Sequence, residues 1–212
     1  HDHDAHEHHH EHSHVPANYG LAFAFGTALN LAFVIIEATY GVISNSMALL
    51  ADAGHNFSDV VGLLIAWGAS SLTRRQPTAR FTYGLKSSSI LAALFNAIIL
   101  LVAVGGIAWE ALRRIAEPEP VVGVTVMTVA AIGIVINGLT ALLFMSGRHG
   151  DLNVRGAFLH MAADAAISAG VVLAGLAIIL TGLIWIDPVV SLLIVIVIVW
   201  GTWGLLRDSV IM

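Results

Sequence analysis

Six stretches of this chain are each long and apolar enough to cross a lipid bilayer, and they limit what it can fold into. They lie at about 17–43, 46–72, 86–114, 121–146, 152–182 and 185–208, and a spanning helix needs about 20 mainly apolar residues. The stretches are continuously apolar and do not alternate with a period of two. Helices are therefore expected, since they satisfy their own backbone bonds, and not the strands of a barrel. The breaks carry turn chemistry or charge: ISNS at 43–46, TRRQPTARFTYG at 73–84, RRIAEPEP at 113–120, SGRHGD at 146–151 and TGLIWIDP at 181–188. Pro118, Pro120 and Pro188 are expected to act as stops, because proline cannot continue a helix interior. With 58% hydrophobic and 11% charged residues, a soluble domain is excluded. The expected fold is an all-α integral membrane bundle of six transmembrane helices.

The positive charges choose an orientation. Arg74, Arg75, Arg80, Lys86, Arg148, Arg155 and Arg207 fall on the side that holds both termini, and only Arg113 and Arg114 fall on the other. Positive residues favour the cytoplasmic face, so both termini are expected in the cytoplasm. Residues 1–14, HDHDAHEHHHEHSH, hold eight His and four acids. Such a tract buries no core and reads as a disordered tail that gathers divalent metal weakly. Its imidazoles suit several transition metals and select none. There is no cysteine, so neither disulfides nor thiolate metal sites arise. The net charge of -5 gives no sign of nucleic-acid binding.

Ionisable side chains inside a membrane are expensive, at about 2.5–3.5 kcal/mol each on insertion scales, and usually mark function. The second segment carries His55 and Asp59, and the fifth carries His160 and Asp164. Both pairs are spaced i, i+4, so each helix presents one imidazole and one carboxylate on a single face. Two nitrogens and two oxygens make a suitable tetrahedral set for zinc, and a bound dication offsets the cost of burying the acids. The two segments run in opposite directions. A rise of about 1.5 Å per residue brings all four residues near the middle of a core about 30 Å thick. His55 is then level with Asp164, and Asp59 with His160. Asp52, one turn before His55, is expected to be a structural acceptor or helix-dipole partner. Glu37, deep in the first segment, is expected to line a water path or hydrogen-bond a ligand. Asn30, Asn56, Asn96 and Asn137 are expected to bond between helices, with Asn56 orienting its neighbour His55.

SNSMALLADAGHNFSDVVGLL, residues 44–64, closely resembles the second transmembrane helix of the cation diffusion facilitators. HMAADAAIS at 160–168 resembles the fifth helix, and WEALRRIAEPEPV at 109–121 resembles the end of the third and the turn after it. The resemblance covers residues 17–212, and the His-rich tail is similar to that of the bacterial cobalt–zinc–cadmium resistance branch. It implies a homodimeric transporter of the bacterial inner membrane that exports zinc, with cobalt or cadmium as alternatives, in exchange for protons. It also implies that His55, Asp59, His160 and Asp164 are the transport site. The loop between the second and third helices holds no His, Asp or Glu, so the extra metal site of some bacterial members is not expected. Most members carry a cytoplasmic ferredoxin-like domain after the sixth helix, whereas these 212 residues end at LLRDSVIM. The expected division is a tail at 1–15 and a transport domain at 16–212, with that further domain absent from these residues.

The implied mechanism is alternating access. Zinc binds ligands that must first lose their protons, and an imidazole with a reference pKa of about 6.5 suits proton exchange near neutral pH. Two other classes would leave different marks. A zinc protease would place His-Glu-x-x-His on a helix, and none of the six segments carries it. A metal sensor or scaffold would bind metal without moving it.

Overall fold

The computed structural model describes residues 19–73, 84–145 and 152–211. Six helices account for nearly all of them: α1 Tyr19–Ile43, α2 Met47–Thr73, α3 Gly84–Ala116, α4 Gly123–Met145, α5 Leu152–Thr181 and α6 Ile186–Ile211. The His-rich stretch at 1–14 and residues 74–83 and 146–151, where breaks between helices are expected, lie outside the described residues. Among the described residues, five helices contain spans long and apolar enough to cross a membrane: Gly26–Ile43, Leu94–Ala116, Gly123–Leu142, Phe158–Thr181 and Ile186–Trp203. At 27 residues α2 is about 40 Å long, and Asp52, His55, Asn56 and Asp59 lower its apolar average.

Large apolar side chains face outward as well as inward. Val102, Trp109, Leu180 and Trp200 are each more than 70% exposed, which suits lipid and not water. The centre is packed by Phe33, Leu49, Val104, Val126, Val171 and Ile198. α4 and α5 pack most extensively, while α2 lies against α1, α3 and α6 and touches α5 lightly. The α4–α5 approach depends on glycine. A Cβ on Gly175 would come within 3.0 Å of the Gly123 carbonyl oxygen and the Met127 amide nitrogen. Small residues at such crossings let two backbones close on each other.

One end of the bundle is stitched by its turns. Asn45 adopts a left-handed φ of 56° between α1 and α2, a conformation asparagine tolerates better than most residues. Its amide donates to Glu119 Oε2 at 3.0 Å, and its carbonyl accepts from Arg114 at 2.8 Å. Arg113 donates to Glu110 at 2.6 Å and to Glu119 at 2.8 Å. The hydrogen bond from Asn45, followed by that from Arg113, holds the Glu119 carboxyl below the usual glutamate range. At the same end α5 stops at Thr181, and Gly182 takes a φ of 70° while its N–H returns to the Ile178 carbonyl, a glycine-terminated helix end.

Two expectations need correction. Pro118 and Pro120 follow the end of α3, but Pro188 lies in the first turn of α6. There its missing N–H would have had no helical partner, so it starts a helix and stops none. Asn137 is buried with its amide nitrogen unpartnered and makes no interhelical bond through that nitrogen. Asn96 does bond between helices, donating to Ser58 of α2.

Candidate metal centre

α2 and α5 meet at the four residues singled out by their spacing. His55 Nε2 lies 3.2 Å from Asp164 Oδ1 and 3.6 Å from Asp59 Oδ2. His160 Nε2 lies 3.4 Å from Asp59 Oδ2 and 3.7 Å from Asp164 Oδ2. Each imidazole thus faces the carboxylate of its own helix and that of the other, which requires the helices to be antiparallel and in this register. His55 is level with Asp164 and His160 with Asp59.

The dimensions fit a small dication. Zinc bonds of about 2.0–2.2 Å in a tetrahedron put neighbouring ligand atoms about 3.3–3.6 Å apart. The four nitrogen–oxygen distances bracket that range. His55, Asp59 and Asp164 offer ligand atoms all within 4.8 Å of one another. His160 joins through the two carboxylates, its ring edge-on to His55 with centroids 6.1 Å apart. A modest inward shift of His160 would bring the fourth ligand to the same centre.

Exposure is uneven across the ring. Side-chain exposure is 2% at Asp164, 18% at His55, 21% at Asp59 and 42% at His160. It increases toward the end of the bundle where α2 finishes and α5 begins.

Around this ring the polar residues sort differently from expectation. Asn56 does not bond His55; its amide donates to Glu37 Oε2 at 3.0 Å. Glu37 is fully buried, and the donor it meets is Asn56. Asp52 is an acceptor as expected, taking a hydrogen bond from Ser168 Oγ at 3.1 Å. Ser168 was not foreseen, although it lies four residues after Asp164 and so on the ligand face of α5. Asp187 was also missed. From the first turn of α6 it accepts from the Ser46 hydroxyl, the Met47 N–H and the Ala48 N–H. Ser46 Oγ in turn accepts the Leu49 N–H at 3.2 Å, so the start of α2 is capped by its own serine and by an acid from another helix. No local pattern around Asp187 points to α2.

Comparison with known proteins agrees with the architecture. Residues 23–212 match the model of the cation efflux transmembrane domain. The chain is 41% identical over 191 residues to the zinc transporter ZitB of Escherichia coli, covering 90% of this chain and 60% of that protein. It is 37% identical over 180 residues to a cadmium, cobalt and zinc/H(+)-K(+) antiporter of Bacillus subtilis, covering 84% of this chain and 58% of the relative. Over 182 residues it is 35% identical to the cation efflux system protein CzcD of an Alcaligenes species, covering 86% and 58%. The chain thus spans about three fifths of the length of these relatives.

Proposed function

The chain belongs to the cation efflux family of integral membrane proteins, and on that footing we propose that it exports zinc from the cytosol by proton-coupled alternating access. Cobalt and cadmium are the alternative cargoes, since relatives are named for all three metals. The transport site is His55, Asp59, His160 and Asp164. The observation that carries this reading is the ring of 3.2–3.7 Å nitrogen–oxygen distances closed by α2 and α5.

Zinc enters when both imidazoles are neutral and both carboxylates ionised, so loading displaces protons. The uneven exposure of the ring fits a state open to the cytosol, because it is greater toward the end that the Lys and Arg count assigns to the cytoplasm. α2 and α5 touch lightly while each packs closely on other helices. The direct contact between the two halves of the site is therefore small, and they can move apart by shifts at the α5–α6 and α1–α4 contacts. Protons from the far side then compete for the ligands and release the metal. The protein works as a homodimer in a bacterial inner membrane, and residues 1–15 form a His-rich tail that delivers metal to the opening.

The test is zinc flux in proteoliposomes under an imposed pH gradient, comparing wild type with Asp164→Ala. Flux that is driven by the gradient and lost in the variant supports the proposal. Undiminished flux in the variant places the site elsewhere, and zinc binding without wild-type flux favours a sensor.

A further inference from the structure

Two acids close to the ring belong to neither of its helix pairs. Glu37 of α1 and Asp52 of α2 are each 0% exposed; Asn56, which donates to Glu37, lies four residues after Asp52 and so on the same face of α2, which brings the two carboxyls together. Asn56 supplies one donor to Glu37 Oε2, and Ser168 supplies one to Asp52 Oδ2. Glu37 Oε1 and Asp52 Oδ1 are left with no donor. Among the described residues the arginine ion pairs are those of Arg113 and Arg114 with Glu110, Glu117 and Glu119, and none involves either acid. The charged groups acting on Asp52 from the packed helices are Glu37 of α1, His55 of α2 and Asp164 of α5. Two like charges sharing a buried site resist joint ionisation, and a buried oxygen without a donor is costly. One proton between the carboxyls relieves both problems, since its O–H is the missing donor.

We propose that Glu37 and Asp52 form a proton-binding site apart from the metal ring, holding one shared proton at neutral pH. A proton fits this place better than a metal ion does. Asn56 and Ser168 present an N–H and an O–H to the pair, so a metal would meet donors where it needs lone pairs. Asp52 lies three residues before His55, and Ser168 four after Asp164. The pair is therefore about one turn from the ring on both helices, toward its less exposed side. A dication in the ring weakens the hold of the pair on its proton through space, so metal loading and proton release are linked here as well as at the ligands. That linkage rests on the transport-site reading; the shared proton does not.

Infrared spectra of the full chain in lipid, free of metal and at neutral pH, test the proton directly. The expected result is a protonated-carboxyl C=O band that shifts in D2O and disappears in Glu37→Gln/Asp52→Asn. Should the double variant not fold, Glu37→Gln serves, because its amide can donate to Asp52 in place of the proton, and the band is again lost. Absence of the band from wild type, or its persistence in a folded variant, overturns the proposal. In weakly buffered solution, zinc is expected to release more protons from wild type than from Glu37→Gln. Equal release overturns the linkage. Failure of zinc to bind wild type overturns the transport reading and the linkage with it, while the infrared result stands alone.

Discussion

His55 Nε2 and Asp164 Oδ1 lie 3.2 Å apart although 109 residues separate them in the chain. That contact joins the His–Asp pair on α2 to the His–Asp pair on α5. Replacing Asp164 with Asn keeps the size and removes the charge that a dication needs. Zinc affinity is expected to fall by at least about 100-fold, beyond the 10–100-fold usual for residues that only support a ligand. Competition with a metal-sensitive chelator measures it, and an unchanged affinity would show that Asp164 is no ligand.

The same site predicts a direction with pH. Metal competes with protons for imidazole nitrogen, and the neutral form of His dominates above about 6.5. Zinc affinity is therefore expected to rise with pH until both imidazoles have lost their protons, and to level off beyond that. In His160→Ala one competing proton is removed, so the residual affinity should depend less steeply on pH. An equally steep profile would exclude His160 from the exchange.

Asp187 holds the start of α2 through a hydroxyl and two backbone N–H groups. Asp187→Ala leaves those donors unpaired and removes a favourable charge at a helix N-terminus. A loss of about 1–2 kcal/mol is expected, in line with other lost caps. Asp187→Asn should lose less. Thermal unfolding in detergent separates the two, and equal losses would show that the hydrogen bonds contribute nothing beyond the charge.

Gly175 and Gly170 lie on the same helix and predict opposite outcomes. A Cβ at 175 meets backbone atoms of α4 at 3.0 Å, whereas one at 170 meets nothing within 4 Å. Backbone cannot rotate aside, so Gly175→Ala should cost about 1–3 kcal/mol, as overpacking does. Gly170→Ala should be neutral or slightly stabilising, since alanine is the better helix former. Similar unfolding temperatures for the two variants would show that the α4–α5 approach at Gly175 does not require glycine.

Much of the fold was legible because its causes are local. Runs of about 20 apolar residues between Pro, Gly and charge place six helices within a few residues of those observed, as α3 at Gly84–Ala116 against the expected 86–114 illustrates. The i, i+4 spacing of His55 with Asp59 and of His160 with Asp164 put each pair on one helix face. Pro188 misled because a proline that ends one helix and a proline that begins the next look alike in a sequence. Asn56 misled because adjacency to His55 in the chain points its side chain about 100° away around the helix, toward α1.

The sequence alone therefore determined a helical membrane bundle and two matched His–Asp pairs, since hydrophobic run length and helical periodicity are properties of neighbouring residues. Only the tertiary structure decided that His55 faces Asp164, that Glu37 and Asp52 share one buried place, and that Asp187 caps a helix more than a hundred residues away. Those contacts depend on which faces of six similarly apolar helices meet. That choice rests on close-packing at small residues such as Gly175 and on a few interhelical hydrogen bonds, because inside lipid the hydrophobic effect does not distinguish one apolar face from another.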